Sequence, residues 1–142
     1  MTSIKTRITK KSNETAVLND YTILTKQIIG RSGNLVRNTA VQSIQQHQSS
    51  GITYTKYNPN RTHTASTEGN PPNSDTGFLV NNIHVVIDGN GLGASVESRA
   101  DYSAHLEFGT SKMGARPFLQ PALEENKQKI RNLFNKLKAR KR

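Results

Sequence analysis

The segment from Asp101 to Ala122 reads DYSAHLEFGTSKMGARPFLQPA and decides how the chain folds. Aromatic residues, glycines, prolines and charges follow one another so closely here that each limits the backbone of the next. Gly109 and Gly114 enclose four residues, which predicts a tight loop with unusual dihedral angles at both ends. Pro117 and Pro121 restrict φ where a helix begins, and a missing N–H costs little there. The segment therefore predicts a rigid loop that leads into a long helix.

The same segment resembles the gene-product-ten-like neck and tail-completion proteins of tailed bacteriophages. In that family a tyrosine precedes Glu-Phe-Gly-Thr, a short Met-containing loop follows, and Ala-Arg-Pro-Phe leads to a Pro-Ala that opens the C-terminal helix. This chain has the matching residues Tyr102, Glu107-Phe108-Gly109-Thr110, Met113, Ala115-Arg116-Pro117-Phe118 and Pro121-Ala122.

A second stretch is similar to the same family, in which a Pro-rich loop of small residues precedes Asp-Thr-Gly and a hydrophobic residue. The corresponding residues here are Ala65-Ser66, Gly69, Pro71-Pro72 and Asp75-Thr76-Gly77-Phe78-Leu79. Asn82 departs from the pattern, because many relatives have a small hydroxyl residue there. The two stretches occur in the family's order and lie in about the C-terminal half of the chain.

The resemblance implies a structural virion protein of the head-tail junction, made in the host cytoplasm. It would form a hexameric or dodecameric ring between head-closure or tail-terminator proteins and the tail tube, and DNA would pass through the opening. The implied protein is no enzyme and needs no cofactor. The subunit-interface candidates are Tyr102, Glu107, Phe108, Gly109, Thr110, Met113, Arg116, Pro117 and Phe118.

Within this group, the loop from Gly109 to Gly114 is expected to present side chains to a neighbouring subunit. Phe118 and Tyr102 anchor its base, and plain core packing is an equally good interpretation of both. Arg116 either pairs with Glu107 or reaches across the interface, and the sequence leaves both possibilities open.

Composition and charge place the chain in one domain, residues 1–142, with basic ends. The net charge is +10, the hydrophobic share is 32%, and cysteine is absent. Residues 1–12 and 127–142 contain lysine and arginine but no acidic residue. Flexible ends are expected at about 1–12 and 138–142. The low apolar content suggests that partners supply part of the order. No apolar run suits a membrane span or a signal segment, so we expect a soluble protein.

The basic ends leave three interpretations open. They are solvated or stabilise a helix C-terminus, they contact packaged DNA through phosphates, or they dock on an acidic protein ring. The first alternative function is accordingly a small basic protein that binds nucleic acids without sequence preference. A second alternative is a tail-terminator ring protein.

Periodicity predicts an α+β fold, with a small antiparallel sheet packed against long N-terminal and C-terminal helices. One long helix is expected from about residue 14 to 48, with a weak point near Gly33, although two helices meeting there is the alternative. A strand follows in ITYTKY, then a long loop at about 58–75 that orders on contact with a partner. Brief pairing of residues 63–66 as an edge strand is the alternative within this loop. Residues 76–83 predict a short helix capped by Asp75.

Two β-type runs, 84–88 and 94–98, are joined by a glycine-rich connection and predict a hairpin. That connection lacks the third glycine of a dinucleotide fingerprint and the lysine of a triphosphate loop. A helix capped by Asp101 is expected up to Phe108, and the last helix is expected from Pro117 to about Lys138.

Catalysis is not expected. Asp101, Ser103, His105 and Glu107 look like a triad in sequence, but residues two apart diverge on a helix. A strand would place them on one face, yet no glycine pair that would stabilise an oxyanion precedes the serine. The four histidines, His47, His63, His84 and His105, have no recognised zinc spacing, so no metal is expected.

Overall fold

The computed structural model describes residues 14–47 and 50–140. Four helices and four strands are present in these ranges. They are α1 (Glu14–Gln46), β1 (Thr53–Tyr57), β2 (Asn60–Thr64), α2 (Phe78–Asn81), β3 (Ile83–Ile87), β4 (Ala94–Ser98), α3 (Ser103–Phe108) and α4 (Leu119–Ala139). The predicted α+β class is confirmed, with two two-stranded antiparallel sheets and two long helices.

The core lies where α1, α4, α2 and the β3–β4 hairpin meet. On α1 the buried positions begin at Ile29 and recur at helical spacing through Val36, Ala40 and Ile44. Earlier turns of α1 are largely exposed, and Val17 remains half exposed although it begins the predicted apolar stripe. The cluster comprises Val36, Ala40, Ile44, Leu79, Val80, Ile83, Ala100, Phe118 and Ala122.

The predicted weak point of α1 is a close contact with the sheet, and α1 runs through it as one helix. Gly33 is buried, and a Cβ atom built there would lie 2.6 Å from Cγ1 of Val85 on β3. Gly30, one turn earlier, has more room, since its Cβ would lie 3.9 Å from Cδ1 of Ile87. Gly33 therefore lets the helix backbone approach β3.

The predicted hairpin is confirmed as β3–β4, with Ile83 opposite Ser98 and Ile87 opposite Ala94. Arg37 of α1 ties this hairpin to the helix, because its Nε donates a 2.9 Å hydrogen bond to the Ile83 carbonyl. The start of β3 is thus held by both packing and a hydrogen bond.

The prediction of a long loop at 58–75 was wrong in its first part, because residues 60–64 form β2. This strand pairs with β1 in an antiparallel hairpin whose register places Tyr57 opposite Asn60 and Thr53 opposite Thr64. Every residue of β1 is exposed. Strand pairing and the short turn hold the β1–β2 hairpin together. Its strands therefore form without an alternation of apolar and polar residues.

Several predicted helix boundaries were also wrong. Asp75 does not cap α2, whose N-cap is Gly77 with φ of 77°, and Asp101 does not cap α3, which begins after Tyr102. The last helix begins at Leu119, two residues after Pro117. The basic segment 1–12 and the last two residues lie outside the described ranges, whereas Lys138 belongs to α4.

Substituting the two glycines of α1 tests the close contact with β3. We expect Gly33→Ala to lower the free energy of unfolding by about 1–2 kcal/mol, because overpacking outweighs the gain in helix propensity. Gly30→Ala is the matched control and is expected to raise it by about 0.5–1 kcal/mol. Urea denaturation measures both values, and equal stabilisation by the two substitutions would contradict the proposed contact.

Candidate functional site

The Glu107 side chain joins the end of α3 to the beginning of α4. Its carboxylate accepts hydrogen bonds from the backbone N–H groups of Phe118, Leu119 and Gln120 at 2.9, 3.0 and 2.8 Å. The first N–H groups of a helix have no partner within the helix, and negative charge is favoured at that end. Glu107 therefore caps α4, although it lies 11 residues before Phe118, the N-cap residue of that helix.

The residues that directly follow α3 form the predicted tight loop, 109–114, which we name the hook. Gly109 has φ of 76°, a conformation that favours glycine. Thr110 and Met113 form a bridge, with the Thr110 N–H donating to the Met113 carbonyl at 2.8 Å. Gly114 has no positive φ; instead, a Cβ atom there would overlap the Glu68 side chain. Only one of the two glycines thus has the predicted unusual dihedral angles.

The hook and the residues after it lie against the segment 65–69. The Gly69 N–H donates to the Ala115 carbonyl at 2.9 Å, and the Arg116 Nε donates to the Ser66 carbonyl at 3.0 Å. The Arg116 N–H also bonds the Leu106 carbonyl, at 2.6 Å. The segments 65–69 and 109–116 therefore contact each other in the fold.

A polar cavity of about 440 Å³ lies beside this contact, and we name it the basic pocket. Its charged lining has three permanent cations, one histidine and a single carboxylate: Lys56, Arg61, Arg116, His63 and Asp75. Ser66 and the apolar residues Ala65, Phe78, Leu79, Tyr102 and Leu106 complete most of its wall. The β1–β2 hairpin contributes Lys56 and Arg61, which lie opposite each other in its register.

Asp75 organises the cations of the basic pocket. Its Oδ2 accepts hydrogen bonds from Lys56 Nζ and, at 3.2 Å, from Arg61 Nη2, while His63 Nδ1 lies 3.8 Å from Oδ1. The hydrogen bond from Lys56, helped by the charge of Arg61, lowers the pKa of Asp75 despite partial desolvation. Desolvation, and then the Asp75 charge, raise the pKa of Tyr102. Tyr102 is therefore a neutral phenol at neutral pH.

An apolar groove of about 700 Å³ lies on the other side of α3. Its walls come from α1, β4 and α4, with Val36, Val96, Leu123 and Phe134 among the lining residues. Phe108 lines this groove with 82% of its surface exposed. Along α3, Ser103, Ala104, Glu107 and Phe108 face the groove, whereas Tyr102 and Leu106 line the basic pocket.

The predicted interface residues divide into exposed and internal positions. Phe108, Thr110 and Tyr102 are exposed, and Gly109, Met113 and Pro117 are half-buried. Phe118 is 1% exposed and belongs to the core, which was the alternative interpretation of this residue.

The two polar residues of that group have separate partners. Glu107 caps α4, and Arg116 donates to the Ser66 carbonyl, so no ion pair joins Arg116 to Glu107 in the described chain. The structure thus brings the predicted residues into one unit but gives Arg116 a partner that the sequence did not indicate.

Lys56, Arg61, His63 and Asp75 were missed as a group, because they are brought together by a hairpin that was not predicted. The Asn-Pro-Asn turn between two polar alternating runs was the available signal. Ser66 belonged to the second family-like stretch, but Glu68, which packs against Gly114 of the hook, carried no sequence signal.

The triad that the sequence suggested is not aligned on α3. Ser103, His105 and Glu107 lie on α3, where residues two apart point in different directions, and Glu107 is engaged by α4. Residues 14–47 and 50–140 contain no group of three or more His, Asp or Glu side chains suited to a metal ion. None of the described helices is both long and apolar enough to cross a membrane.

Comparison with known proteins gives no relative for this chain. No family model, no curated protein and no solved structure matches it.

Substituting Glu107 tests the cap on α4. We expect Glu107→Gln to lower the free energy of unfolding by about 1–2 kcal/mol, because the charge that faces three N–H groups is lost. Glu125→Gln is the control, since it removes the same charge from an exposed pair with Lys129 and is expected to cost under about 0.5 kcal/mol. Urea denaturation measures both, and similar small losses would show that the cap contributes little.

The pH dependence of stability tests the role of Asp75. Because the pKa of Asp75 is lower in the folded state, its carboxylate stabilises the fold above the unfolded pKa of about 4, and that contribution disappears as the pH falls through the folded pKa. Asp75→Asn is therefore expected to destabilise the protein at neutral pH and to converge with the wild type in acid. Exposed Asp20→Asn is the control for charge, and a pH-independent effect of Asp75→Asn would contradict the assignment.

Proposed function

We propose that this protein is a ring-forming structural component of a phage head-tail junction. The observation that supports this most is the single unit formed by the two family-like stretches, with the Arg116 side chain bonded to the Ser66 carbonyl. Residues that are 50 positions apart meet there.

The apolar groove supports assembly with other proteins. It is open, and Phe108 on its lining is almost fully exposed although it is a large aromatic side chain. Contiguous exposed apolar surface of this kind marks sites of protein-protein contact. The rigid backbone at Gly109 fixes the direction of the neighbouring hook, so Phe108 and the hook would reach a neighbour together.

Two chemically different surfaces support a ring rather than a symmetric pair. The apolar groove and the basic pocket lie on opposite sides of α3. A ring closes through heterologous contacts, in which one surface of a subunit meets a different surface of the next. A chain with two unlike surfaces meets that requirement, whereas a twofold dimer needs only one self-complementary surface.

Light scattering and electron microscopy of the purified chain, alone and with the head-closure and tail proteins of its source, test the proposal. We expect closed hexameric or dodecameric rings that contact those proteins. A contact with the end of the tail tube alone would instead identify the tail-terminator alternative. A chain that stays monomeric with these proteins and binds duplex DNA with a steep salt dependence would support the nucleic-acid-binding alternative.

Phe108→Ser separates assembly from folding. Removing a phenyl ring that becomes buried on assembly is expected to weaken association by about tenfold or more, since its burial contributes about 1.5–3 kcal/mol. Tyr57→Ser is the matched control, because Tyr57 is 85% exposed but lies on the β1–β2 hairpin, away from the groove. Sedimentation measures association, and equal losses in both variants would contradict a role for Phe108.

A further inference from the structure

Two residues that line the basic pocket, Ser66 and Arg61, carry buried hydrogen-bonding groups without partners. Ser66 is 3% exposed, and its hydroxyl has no hydrogen-bond partner among the described residues. Arg61 Nε is also buried without a partner in those ranges. Buried donors are normally bonded, and leaving one unbonded costs about 1–3 kcal/mol. Because both residues line the same cavity, a ligand that accepts hydrogen bonds there would satisfy these groups once the side chains turn towards it.

Arg116 is oriented for such a ligand. Its Nε is held by the Ser66 carbonyl at 3.0 Å, while Nη1 and Nη2 make no hydrogen bond to any described residue. A guanidinium fixed at Nε presents its two remaining nitrogens as a planar fork, which matches the two oxygens of a carboxylate. The fork, the hydroxyl and the Nε thus belong to three residues that line one cavity, and all three groups can donate hydrogen bonds to an anion.

We propose that the basic pocket binds the carboxylate of an acidic peptide segment on a partner protein, with an apolar residue beside it on Phe78 and Tyr102. The apolar wall supports this choice, since the two rings lie 6.2 Å apart and both are partly exposed. The inference rests on the proposed assembly function only for the identity of the partner, because peptide binding is a property of the single chain.

The charge pattern favours a protein carboxylate over a nucleic-acid backbone. Asp75 lies in the pocket and cancels one of its cations. Phosphates repeat along a nucleic acid, so a strand requires a continuous basic track and would approach this carboxylate. A single carboxylate beside an apolar side chain requires only one compact site with a small net positive charge, as the basic pocket has.

Titration followed by NMR tests the proposal. The probes are acetyl-Gly-Glu-Leu-Gly-amide, the same peptide with Gln in place of Glu, inorganic phosphate and a short oligothymidylate. We expect the Glu peptide to shift the resonances of residues lining the basic pocket and to bind about tenfold more tightly than the Gln peptide, as for one charge-assisted pair. Repeating the titration in Phe108→Ser separates peptide binding from assembly.

Two substitutions probe the pocket itself. Ser66→Ala removes an unpaired hydroxyl, so it is expected to leave the free energy of unfolding unchanged or raised. The same substitution is expected to lower the affinity for the Glu peptide several-fold. Arg116→Lys keeps the charge but loses the fork, and about tenfold weaker binding is expected. Arg99→Gln, which removes an exposed cation outside the pocket, is the control and should leave binding unchanged.

The outcomes separate the alternatives. Preference for the Glu peptide that is reduced in Ser66→Ala and Arg116→Lys but not in Arg99→Gln supports the proposal even if no ring forms. Equal binding of the Glu and Gln peptides, or no binding at all, overturns it. Tighter pocket binding by oligothymidylate than by the peptide overturns it in favour of a nucleic-acid site, and phosphate binding alone indicates an anion site without peptide recognition, which also overturns it.

Discussion

The Glu107 carboxylate is the interaction on which the C-terminal half depends. Three N–H groups at the start of α4 would otherwise lack partners, and one side chain from α3 satisfies all of them. Because Phe118 is both a donor to this carboxylate and a core residue, the cap also fixes the depth at which α4 enters the core. The three hydrogen bonds also orient α3, and residues of this helix line both cavities.

The sequence was sufficient where periodicity and turn residues act locally. The long helix α1, the β3–β4 hairpin and the helical end of the chain follow from apolar spacing, glycine turns and the placement of charges. The α+β class follows from those elements together. Gly33 illustrates the limit of such reasoning, because a glycine that looks like a weak point in a helix is instead required by Val85 across the contact.

The rest depends on contacts between distant residues. Asp75 was expected to cap the helix that follows it, yet its partners are Lys56, Arg61 and His63 from the preceding hairpin. Strand β2 has no apolar alternation, so only its pairing with β1 defines it. The bond from Arg116 to Ser66 spans 50 residues and depends on the completed fold.

The hook is held at its two ends and by the bridge between Thr110 and Met113. Glu107 and Gly109 set its entry, and the Ala115 and Arg116 contacts set its exit. Ser111 and Lys112 between them are exposed, and neither side chain takes part in the bonds that shape the turn. Mutations at these two positions can therefore accumulate with little effect on folding, which leaves the tip free to diversify in chemical character while its shape stays constant.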